Sequence, residues 1–557
     1  MPDLHLIEHH PQRVLEAFRR GEFDQIEIIG QADEKEFFEL CFREKMLDAL
    51  AREMPTARKK EEVPRWFVLA ANLSLKLHLE NSFLAFERVV RCGGLLSALP
   101  PEIASKHLDP QTREILLECQ GFNDKNTYQR STPCDQDFLR KFVKAVTAPQ
   151  WLEWFNGPVQ QVFQSHGFFD PAGIFIGDGS YLFVPDNEAY EGSAVMWFDE
   201  HNHAVDYEKL TAPERKKAHR ERCYKLVSLL HRRGESYVYA GLAVVPGNAH
   251  EDPVLYALVE NFVRHVGRGV LKLLILDRGF IDGPNITRCK TEWGMDVLLP
   301  VKKNMDIWAD AWALAKQAPW QPWSPPGTPP KEPPPNRPEV IVRRERKRQK
   351  TLAAQAAKQP PPPPEETLLR TELCPVKGCT SWTECKVPMN VLLLRERYAD
   401  GHQDQWALMT TADFAHPARL KEQYQWRATI EERHRLLKCF YDLSDFHSRS
   451  LSVITAQVVF ILLSYTLRQW QLWRLRQAEE LAGKTPGLLQ RRLNIHRQHV
   501  VIYHQHAYTQ MPLVTFTREV LELAPEARAR ALAKIRKLEE SFLTPLDNVR
   551  APPGACG

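Results

Sequence analysis

Apolar residues recur at helical spacing through the first 150 residues. Val14–Arg19 and Phe37–Arg52 each place apolar residues along one face, and Pro64 precedes a long apolar segment from Trp66 to Val90. This pattern predicts a mostly helical region over residues 1–150.

Two apolar runs that end in aspartate follow after residue 170. Gly173–Asp178 has the pattern of a strand whose last residue is a carboxylate, and Leu271–Asp277 repeats it with a run typical of a strand buried on both faces. Ligand and metal sites in open α/β sheets gather at the carboxyl ends of strands. Asp-Gly is also a common turn dipeptide, so Asp178 with Gly179 would not identify a site by itself.

Further elements are predicted around these two runs. Tyr224–His231 and Tyr237–Val245 have the pattern of a hairpin, and Asp252 begins a helix with a proline in its first turn. Another helix over residues 285–293 leads to a strand over residues 296–303. The order strand, hairpin, helix, strand, helix, strand is that of a ribonuclease-H-like sheet.

The segment Tyr424–Lys438 contains no Pro or Gly and is predicted to form one helix. At 100° per residue, Arg427, Glu431 and Lys438 lie at about −60°, −20° and −40° from Tyr424, so the four side chains share a narrow stripe. Such a stripe could hold a metal-binding carboxylate between phosphate-binding cations. The alternative is a charged helix stabilised by i,i+4 ion pairs.

Helix geometry also separates Glu431 from its neighbour. Glu432 is rotated by about 100° from Glu431, away from the stripe. We therefore predict that Glu432 faces solvent or pairs with Arg435, and that only Glu431 can serve a metal site.

The spacing Tyr-x2-Arg-x3-Glu-x6-Lys resembles the signature of bacterial insertion-sequence transposases, which are cut-and-paste DDE enzymes with a ribonuclease-H-like core. Asp277-Arg-Gly-Phe, with the following apolar strand that ends in Lys302, resembles their second motif. The resemblance spans residues 170–470. It implies an α/β fold in which a ribonuclease-H-like mixed sheet is interrupted by an inserted, partly β domain, with helical N- and C-terminal regions.

The resemblance implies a metal-dependent reaction at three carboxylates. Asp178, Asp277 and Glu431 would hold two Mg²⁺ ions, for which Mn²⁺ can substitute. Cutting a phosphodiester needs a deprotonated nucleophile and a stabilised leaving oxygen, which two ions about 3.5–4 Å apart supply together. Such hard cations prefer carboxylate ligands.

The resemblance also implies DNA contacts and partners. Tyr424, Arg427 and Lys438 would hold the DNA backbone near the cleaved end, and Lys302 is a further DNA-binding residue. Phosphate contacts of this kind position DNA without reading its sequence. The implied partners are double-stranded DNA, at the transposon ends and at the target, and a second copy of the chain in a synaptic homodimer.

Five parts are predicted along the chain. They are a helical N-terminal region (1–150), the first part of the catalytic core (170–305), the insertion (306–412), the second part of the core with Glu431 (413–476) and a C-terminal region (477–557). In the family the helical N-terminal region would grip the transposon ends. The alternative is that this region is only a helical scaffold packed on the core. The insertion contains Pro-rich tracts and the basic run Arg343–Lys350, which is either a solvated tether or a phosphate contact.

Composition narrows the class of protein. A chain of 557 residues is long enough for several domains, and its net charge of +4 means that any basic surface must be local. Eleven cysteines without a secretory signal indicate reduced thiols in the cytoplasm. The resemblance implies association with the bacterial nucleoid. The longest apolar run, Val453–Tyr465, is too short to cross a bilayer, so no membrane partner is expected.

Three residue groups leave their roles open. Cys374, Cys379 and Cys385 lack an obvious fourth zinc ligand. The histidines at the C-terminal end fit a strand with polar neighbours better than a metal site; they are His496, His499, His504 and His506. Four tryptophans belong to a core, or one of them stacks on an unpaired base; they are Trp308, Trp312, Trp320 and Trp323.

The predicted function is transposition, with strand cleavage at the element ends and strand transfer into target DNA. One alternative is a structure-selective nuclease with a similar fold that never transfers strands. Another is a domesticated DNA-binding protein that does not cut.

Overall fold

The computed structural model describes most of the chain. The described residues are 8–30, 34–61, 63–86, 89–90, 95, 98–99, 104–108, 115–119, 134–234, 236–323, 368–398, 401–476, 498–505 and 507–543. The basic run and most of the Pro-rich tracts lie outside these ranges, as do His496, His506 and the C-terminal tail.

The chain forms two compact units of mixed α/β architecture. Unit 1 comprises Met1–Val270 and Ile430–Gly557, and unit 2 comprises Leu271–Thr429. The boundaries between the two units, after Val270 and after Thr429, fall inside the two segments predicted as the catalytic core, 170–305 and 413–476.

Unit 1 contains eleven described strands and most of the described helices. The strands are β1 (Glu8–His9), β2 (Gln25–Gly30), β3 (Ala104–Leu108), β4 (Ile115–Cys119), β5 (Ile174–Val184), β6 (Ala194–Phe198), β7 (Ala204–Val205), β8 (His219–Arg233), β9 (Ser236–Pro246), β16 (Gln498–His504) and β17 (Ala507–Pro512). The helices are α1 (Pro11–Arg19), α2 (Glu34–Arg43), α3 (Met46–Arg52), α4 (Arg65–Leu77), α5 (Gln136–Ala145), α6 (Ala148–Trp154), α7 (Gln160–Ser165), α8 (Ala212–Lys217), α9 (Glu251–Val266), α13 (Ala428–Phe440), α14 (Leu451–Arg476), α15 (Leu513–Glu522) and α16 (Pro525–Leu543). Helix α13 begins in the last two residues of unit 2.

The central sheet of unit 1 is built around β8. This strand pairs antiparallel with β5, β9 and β6, and β6 pairs with β7. All residues from Arg222 to His231 are buried, as expected of a strand covered on both faces. The predicted hairpin of β8 and β9 is confirmed, and Gly234 takes the positive φ of 56° that its turn requires.

Helix α14 forms the centre of the helical layer. It packs against β9, α4, α5 and α6, and Phe460 lies 5.3 Å from the Trp151 ring and 6.2 Å from the Trp154 ring. By length and composition Leu451–Arg474 could cross a membrane, but 89% of its most apolar stretch is buried inside the protein. This burial is typical of a core helix.

The N- and C-terminal segments share one small sheet in the order β1–β17–β16–β2. One face packs against α1, α15 and α16, and its core includes Phe18, Ile26, Ile502 and Phe516. Residues 1–150 therefore contain strands besides the predicted helices. The partner of β2 is β16, more than 460 residues away in the sequence, and local periodicity carries no information about such a pairing.

Unit 2 is a six-stranded mixed sheet in the order β12–β13–β14–β15–β11–β10. Its strands are β10 (Leu273–Ile275), β11 (Asp296–Pro300), β12 (Gln321–Trp323), β13 (Leu368–Cys379), β14 (Met389–Tyr398) and β15 (Gln403–Thr410). Its helices are α10 (Gly283–Thr291), α11 (Asp306–Leu314) and α12 (Pro417–Gln425). Strands β10 and β11 are parallel, whereas β15 returns antiparallel to β11. The β-strands of the predicted insertion thus continue the sheet that contains β10 and β11.

One buried histidine of the central sheet predicts a pH dependence of stability. The amide of Asp170 donates to His231 Nε2 at 2.8 Å, and His231 Nδ1 lies 3.1 Å from the Ile174 carbonyl. Burial lowers the pKa of His231 to about 3. Between its ordinary pKa of about 6.5 and this value the unfolded state binds a proton that the folded state does not. Stability should therefore fall as the pH falls below 6.5.

We expect His231 to contribute a loss of about 1 kcal/mol per pH unit in this window. Urea unfolding at pH 7.5, 6.5 and 5.5 measures the loss, and the curve of His231→Gln should be less steep below pH 6.5. Equal slopes for the two proteins would contradict the prediction.

Candidate active site

Asp178 lies in the middle of β5, not at its end as the sequence predicts. The strand continues to Val184, and Asp178 is directly opposite Ser228 of β8. Paired residues in an antiparallel ladder point to the same face, and so does Ser180, two residues on. Asp178 is buried, with 9% of its surface exposed. Its carboxylate is therefore held on one defined face of the sheet.

Helix α13 is fixed to this face by two hydrogen bonds. His434 Nε2 lies 2.9 Å from Ser228 Oγ, and Lys438 Nζ donates to Ser180 Oγ at 2.8 Å. His434 and Lys438 are one helical turn apart, so they lie on the same side of the helix. The predicted site residues Asp178 and Lys438 are thus brought to one region of unit 1.

Charges in this region are modified by burial. Burial lowers the pKa of Lys438 to about 8, against the opposing effects of Cys439 and of the Asp178 carboxylate. Burial, helped by the Lys438 charge, lowers the pKa of His434 to about 3. At neutral pH an uncharged imidazole and a predominantly protonated amine therefore lie beside the strand that bears Asp178.

Glu431 and Glu432 have different surroundings. Glu432 accepts two hydrogen bonds from Arg435, both of 2.7 Å. Glu431 is exposed and lies one turn before His434 in α13. The prediction that Glu432 pairs with Arg435 is confirmed.

A further carboxylate lies on the opposite face of β5 and was not identified from the sequence. A Cβ atom on Gly179 would lie 2.3 Å from Glu251 Oε2, so only glycine fits there without a shift of Glu251. The Glu251 carboxylate is 3.6 Å from the Lys225 amine. Burial, helped by the Glu251 charge, raises the pKa of Tyr181 to about 12. Glu251 stands in the first turn of α9, next to the Asp-Pro pair that indicated the helix start.

Asp277 lies two residues after the end of β10 in unit 2, close to the carboxyl end of the predicted strand. It precedes a short 3₁₀ turn, Arg278–Phe280. The Arg427 guanidinium lies 3.3 Å from the Asp277 carboxylate, with 19% and 33% of the two side chains exposed. The structure thus brings together one predicted metal ligand and one predicted DNA-binding residue.

Tyr424 and Arg427 also line a largely apolar cavity of about 370 Å³ in unit 2. Its wall contains Trp323, Trp406 and Lys421. The Lys421 amine is buried, lies 2.8 Å from the Glu396 carboxylate and faces the Trp323 ring at 4.1 Å. Of the four tryptophans whose role was open, Trp323 is the one that lines this cavity.

The predicted continuous helix from Tyr424 to Lys438 is wrong. Helix α12 ends at Gln425 and α13 begins at Ala428, with a turn at Trp426 and Arg427 between them. The amides of Trp426, Arg427 and Thr429 each bond to the carbonyl three residues back. The Thr429 hydroxyl also donates to the Trp426 carbonyl, a local bond that competes with the regular helical ladder. Tyr424 and Glu431 are therefore not on one helical stripe.

The seven predicted site residues are distributed over both units. Unit 1 contains Asp178, Glu431 and Lys438, and unit 2 contains Asp277, Lys302, Tyr424 and Arg427. Lys302 follows β11 and is exposed.

Within the described ranges, no three His, Cys, Asp or Glu side chains form a cluster that could hold a metal ion. Chemically, the buried carboxylate of Asp178, the partly exposed carboxylate of Asp277 and the exposed carboxylate of Glu431 are the hard oxygen donors that Mg²⁺ prefers. The donor set therefore fits magnesium or manganese by ligand type. Cys374, Cys379 and Cys385 are buried free thiols.

Comparison with known proteins gives a match to a protein family. Residues 195–467, just under half of the chain, match the family model described as a transposase DDE domain. This span includes Asp277 and Glu431 and begins after Asp178. No curated protein sequence matches the chain.

Among solved structures, the chain is similar to that titled "Cryo-EM structure of piggyBac transposase synaptic complex with hairpin DNA". The identity is 11%, the TM-score is 0.35, and the alignment covers 90% of this chain and 85% of the other. This likeness is too low to establish a common fold. The match of residues 195–467 to the transposase DDE domain supports the interpretation of this chain as a DDE-type transposase.

Proposed function

We propose that this protein is a transposase of the bacterial insertion-sequence type, with the Tyr-Arg-Glu-Lys signature at Tyr424, Arg427, Glu431 and Lys438. It cleaves DNA strands at the ends of its element and transfers them into target DNA. The observation that carries the proposal is the match of residues 195–467 to the transposase DDE domain. The matched residues of this chain include the four signature residues and Asp277.

Asp178, Asp277 and Glu431 are the proposed ligands of two Mg²⁺ ions in a ribonuclease-H-like core. When bound, the ions would activate the attacking hydroxyl group and stabilise the leaving oxygen. The chain supplies the carboxylates and their orientation. Asp178 is held on the face of β5 to which α13 is bonded, and α13 bears Glu431.

Arg427 and Lys438 are proposed to place DNA phosphates next to these carboxylates. Arg427 lies 3.3 Å from Asp277, and the Lys438 amine is bonded to Ser180, two residues from Asp178. In this proposal each cation would contact a phosphate close to the reacting bond. Lys302 and Tyr424 are proposed as further DNA contacts, and the aromatic wall of the unit 2 cavity would suit an unpaired base.

The proposed partners are double-stranded DNA, at the element ends and at the target, and a second copy of the chain that brings two ends together. The proposed location is the cytoplasm, near the bacterial nucleoid.

Cleavage and joining of DNA that carries the element ends test this function. The ends can be found as inverted repeats flanking the gene. We expect Mg²⁺-dependent nicks at the ends, followed by joined products when target DNA is added. Nicks without joined products would favour the structure-selective nuclease, and DNA binding without any nick would favour the non-cutting protein.

A further inference from the structure

We infer that His434 is a positioning residue which, through its hydrogen bond to Ser228, sets the place of Glu431 relative to Asp178. This inference rests on the proposed function, because it assigns a role in the cleavage step.

The hydrogen bond joins the two elements that bear the proposed metal ligands of unit 1. Ser228 is fully buried and directly opposite Asp178 in the ladder of β5 and β8. His434 is 4% exposed and lies three residues after Glu431 in α13. A contact of 2.9 Å between Ser228 Oγ and His434 Nε2 therefore connects the strand position of Asp178 with the helix of Glu431.

A second bond prevents rotation of the helix about the first one. Lys438 lies four residues, or about 6 Å, further along the helix axis, and its amine is bonded to Ser180 of β5. Two points of attachment, one to each strand, define both the position of the helix along the sheet and its rotation about its own axis.

Glu431 lies on the attached side of the helix. At 100° per residue, Glu431, His434 and Lys438 fall within about 60° of one another. With a helix radius of about 5–6 Å including side chains, a rotation of about 20° would displace the carboxylate by about 2 Å. Misplacement of a reacting group by about 1 Å can lower a rate about a hundredfold.

His434 and Ser228 are not themselves a nucleophile and its base. A serine next to a histidine has this chemistry in many hydrolases. Here the serine is fully buried and the imidazole nearly so, and no substrate can reach the hydroxyl oxygen. The pair therefore acts on the site through the helix.

Four variants test the inference: Ser228→Ala, His434→Leu, His434→Gln and the double variant of Ser228→Ala with His434→Leu. Cleavage of end DNA is measured over a range of Mn²⁺ concentrations, and Mn²⁺ binding is measured separately by calorimetry. Ser228→Ala and His434→Leu should lower the cleavage rate about tenfold to a hundredfold and weaken Mn²⁺ binding several-fold. Affinity for end DNA should stay within about twofold, since the phosphate contacts are unchanged.

Two of the variants identify the hydrogen bond as the cause. His434→Gln keeps an amide nitrogen that can bond to Ser228, so it should retain most of the cleavage rate. The double variant should be no worse than the more damaged single variant, because both substitutions remove the same interaction. Additive losses would overturn the inference.

His231 provides a matched control, because it lies in β8, the strand that contains Ser228. Like His434 it is a buried histidine, but its two hydrogen-bond partners are Asp170 and Ile174. His231→Leu should lower thermal stability and leave the Mn²⁺ requirement unchanged. If Ser228→Ala behaved in the same way, the bond would be structural only and the inference would be wrong.

The wild-type protein separates this inference from the proposed function. If it cleaves DNA and Ser228→Ala cleaves equally well at the same Mn²⁺ concentration, the inference alone fails. If the wild-type protein binds end DNA but does not cleave it with either metal ion, both fail. Ser228→Ala removes only one oxygen atom, so this variant should fold. It therefore tests the hydrogen bond even if His434→Leu does not fold.

Discussion

Asp178→Asn, Asp277→Asn and Glu431→Gln should each abolish strand cleavage while leaving binding to end DNA intact. Each substitution removes a charged metal ligand and keeps the approximate shape of the side chain. A loss of about 4 kcal/mol in transition-state stabilisation, or roughly a thousandfold in rate, is expected for each. Cleavage of a labelled duplex that carries the element end measures the effect.

Glu432→Gln is the matched control for Glu431→Gln, because the two residues are neighbours on one helix. The bidentate pair of Glu432 with Arg435 is partly exposed and should contribute no more than about 0.5 kcal/mol to stability. Its removal should leave cleavage within a few-fold of the wild-type rate.

Circular dichroism of the variants controls for folding. Near-normal cleavage by either aspartate variant would remove that residue from the proposed site. An essential Glu432 and a dispensable Glu431 would show that the signature match is accidental.

Arg427→Ala and Lys438→Ala should weaken the complex with end DNA and flatten its salt dependence. Removal of one phosphate-binding cation should lower the slope of log K against log salt by about 0.9. Arg427→Ala should lower the cleavage rate more than Lys438→Ala does, since the Arg427 guanidinium lies beside the Asp277 carboxylate. Measuring the binding constant at several salt concentrations, from about 50 to about 200 mM, gives the slopes.

Arg435→Ala serves as the control for both cations. Arg435 lies on the same helix as Lys438, is 56% exposed and pairs with Glu432. Its replacement should leave the slope unchanged. If Arg427→Ala also left the slope unchanged and lowered thermal stability, Arg427 would be a structural partner of Asp277 and would not bind a phosphate.

Local pattern was sufficient to locate the strand that contains Asp178 and the strand that precedes Asp277, although not the end of the first strand. An apolar run followed by Asp and a nearby Gly identified β5 and β10, because a buried strand needs apolar side chains along its length. The hairpin of β8 and β9 and the helices α9 and α10 followed from apolar pattern and capping residues. Helical rotation separated Glu431 from Glu432, since that relation involves only one turn of backbone.

Features that depend on distant partners could not be predicted in this way. Sheet pairing between β2 and β16, and between β15 and β11, depends on surfaces that are far apart in the sequence. The break at Trp426 and Arg427 lacks a Gly or Pro signal and coincides with the ion pair of Arg427 with Asp277.

The sequence by itself determined which residue types are available for the chemistry: one aspartate in a strand, one shortly after a strand, one helical glutamate and a set of cations. Only the tertiary structure decided how they are held. His434 has the sequence context of any helical histidine, and Ser228 that of any polar residue in a strand. They become a connection between the two proposed ligands of unit 1 because folding buries both, and a buried polar group is stable only with a hydrogen-bond partner.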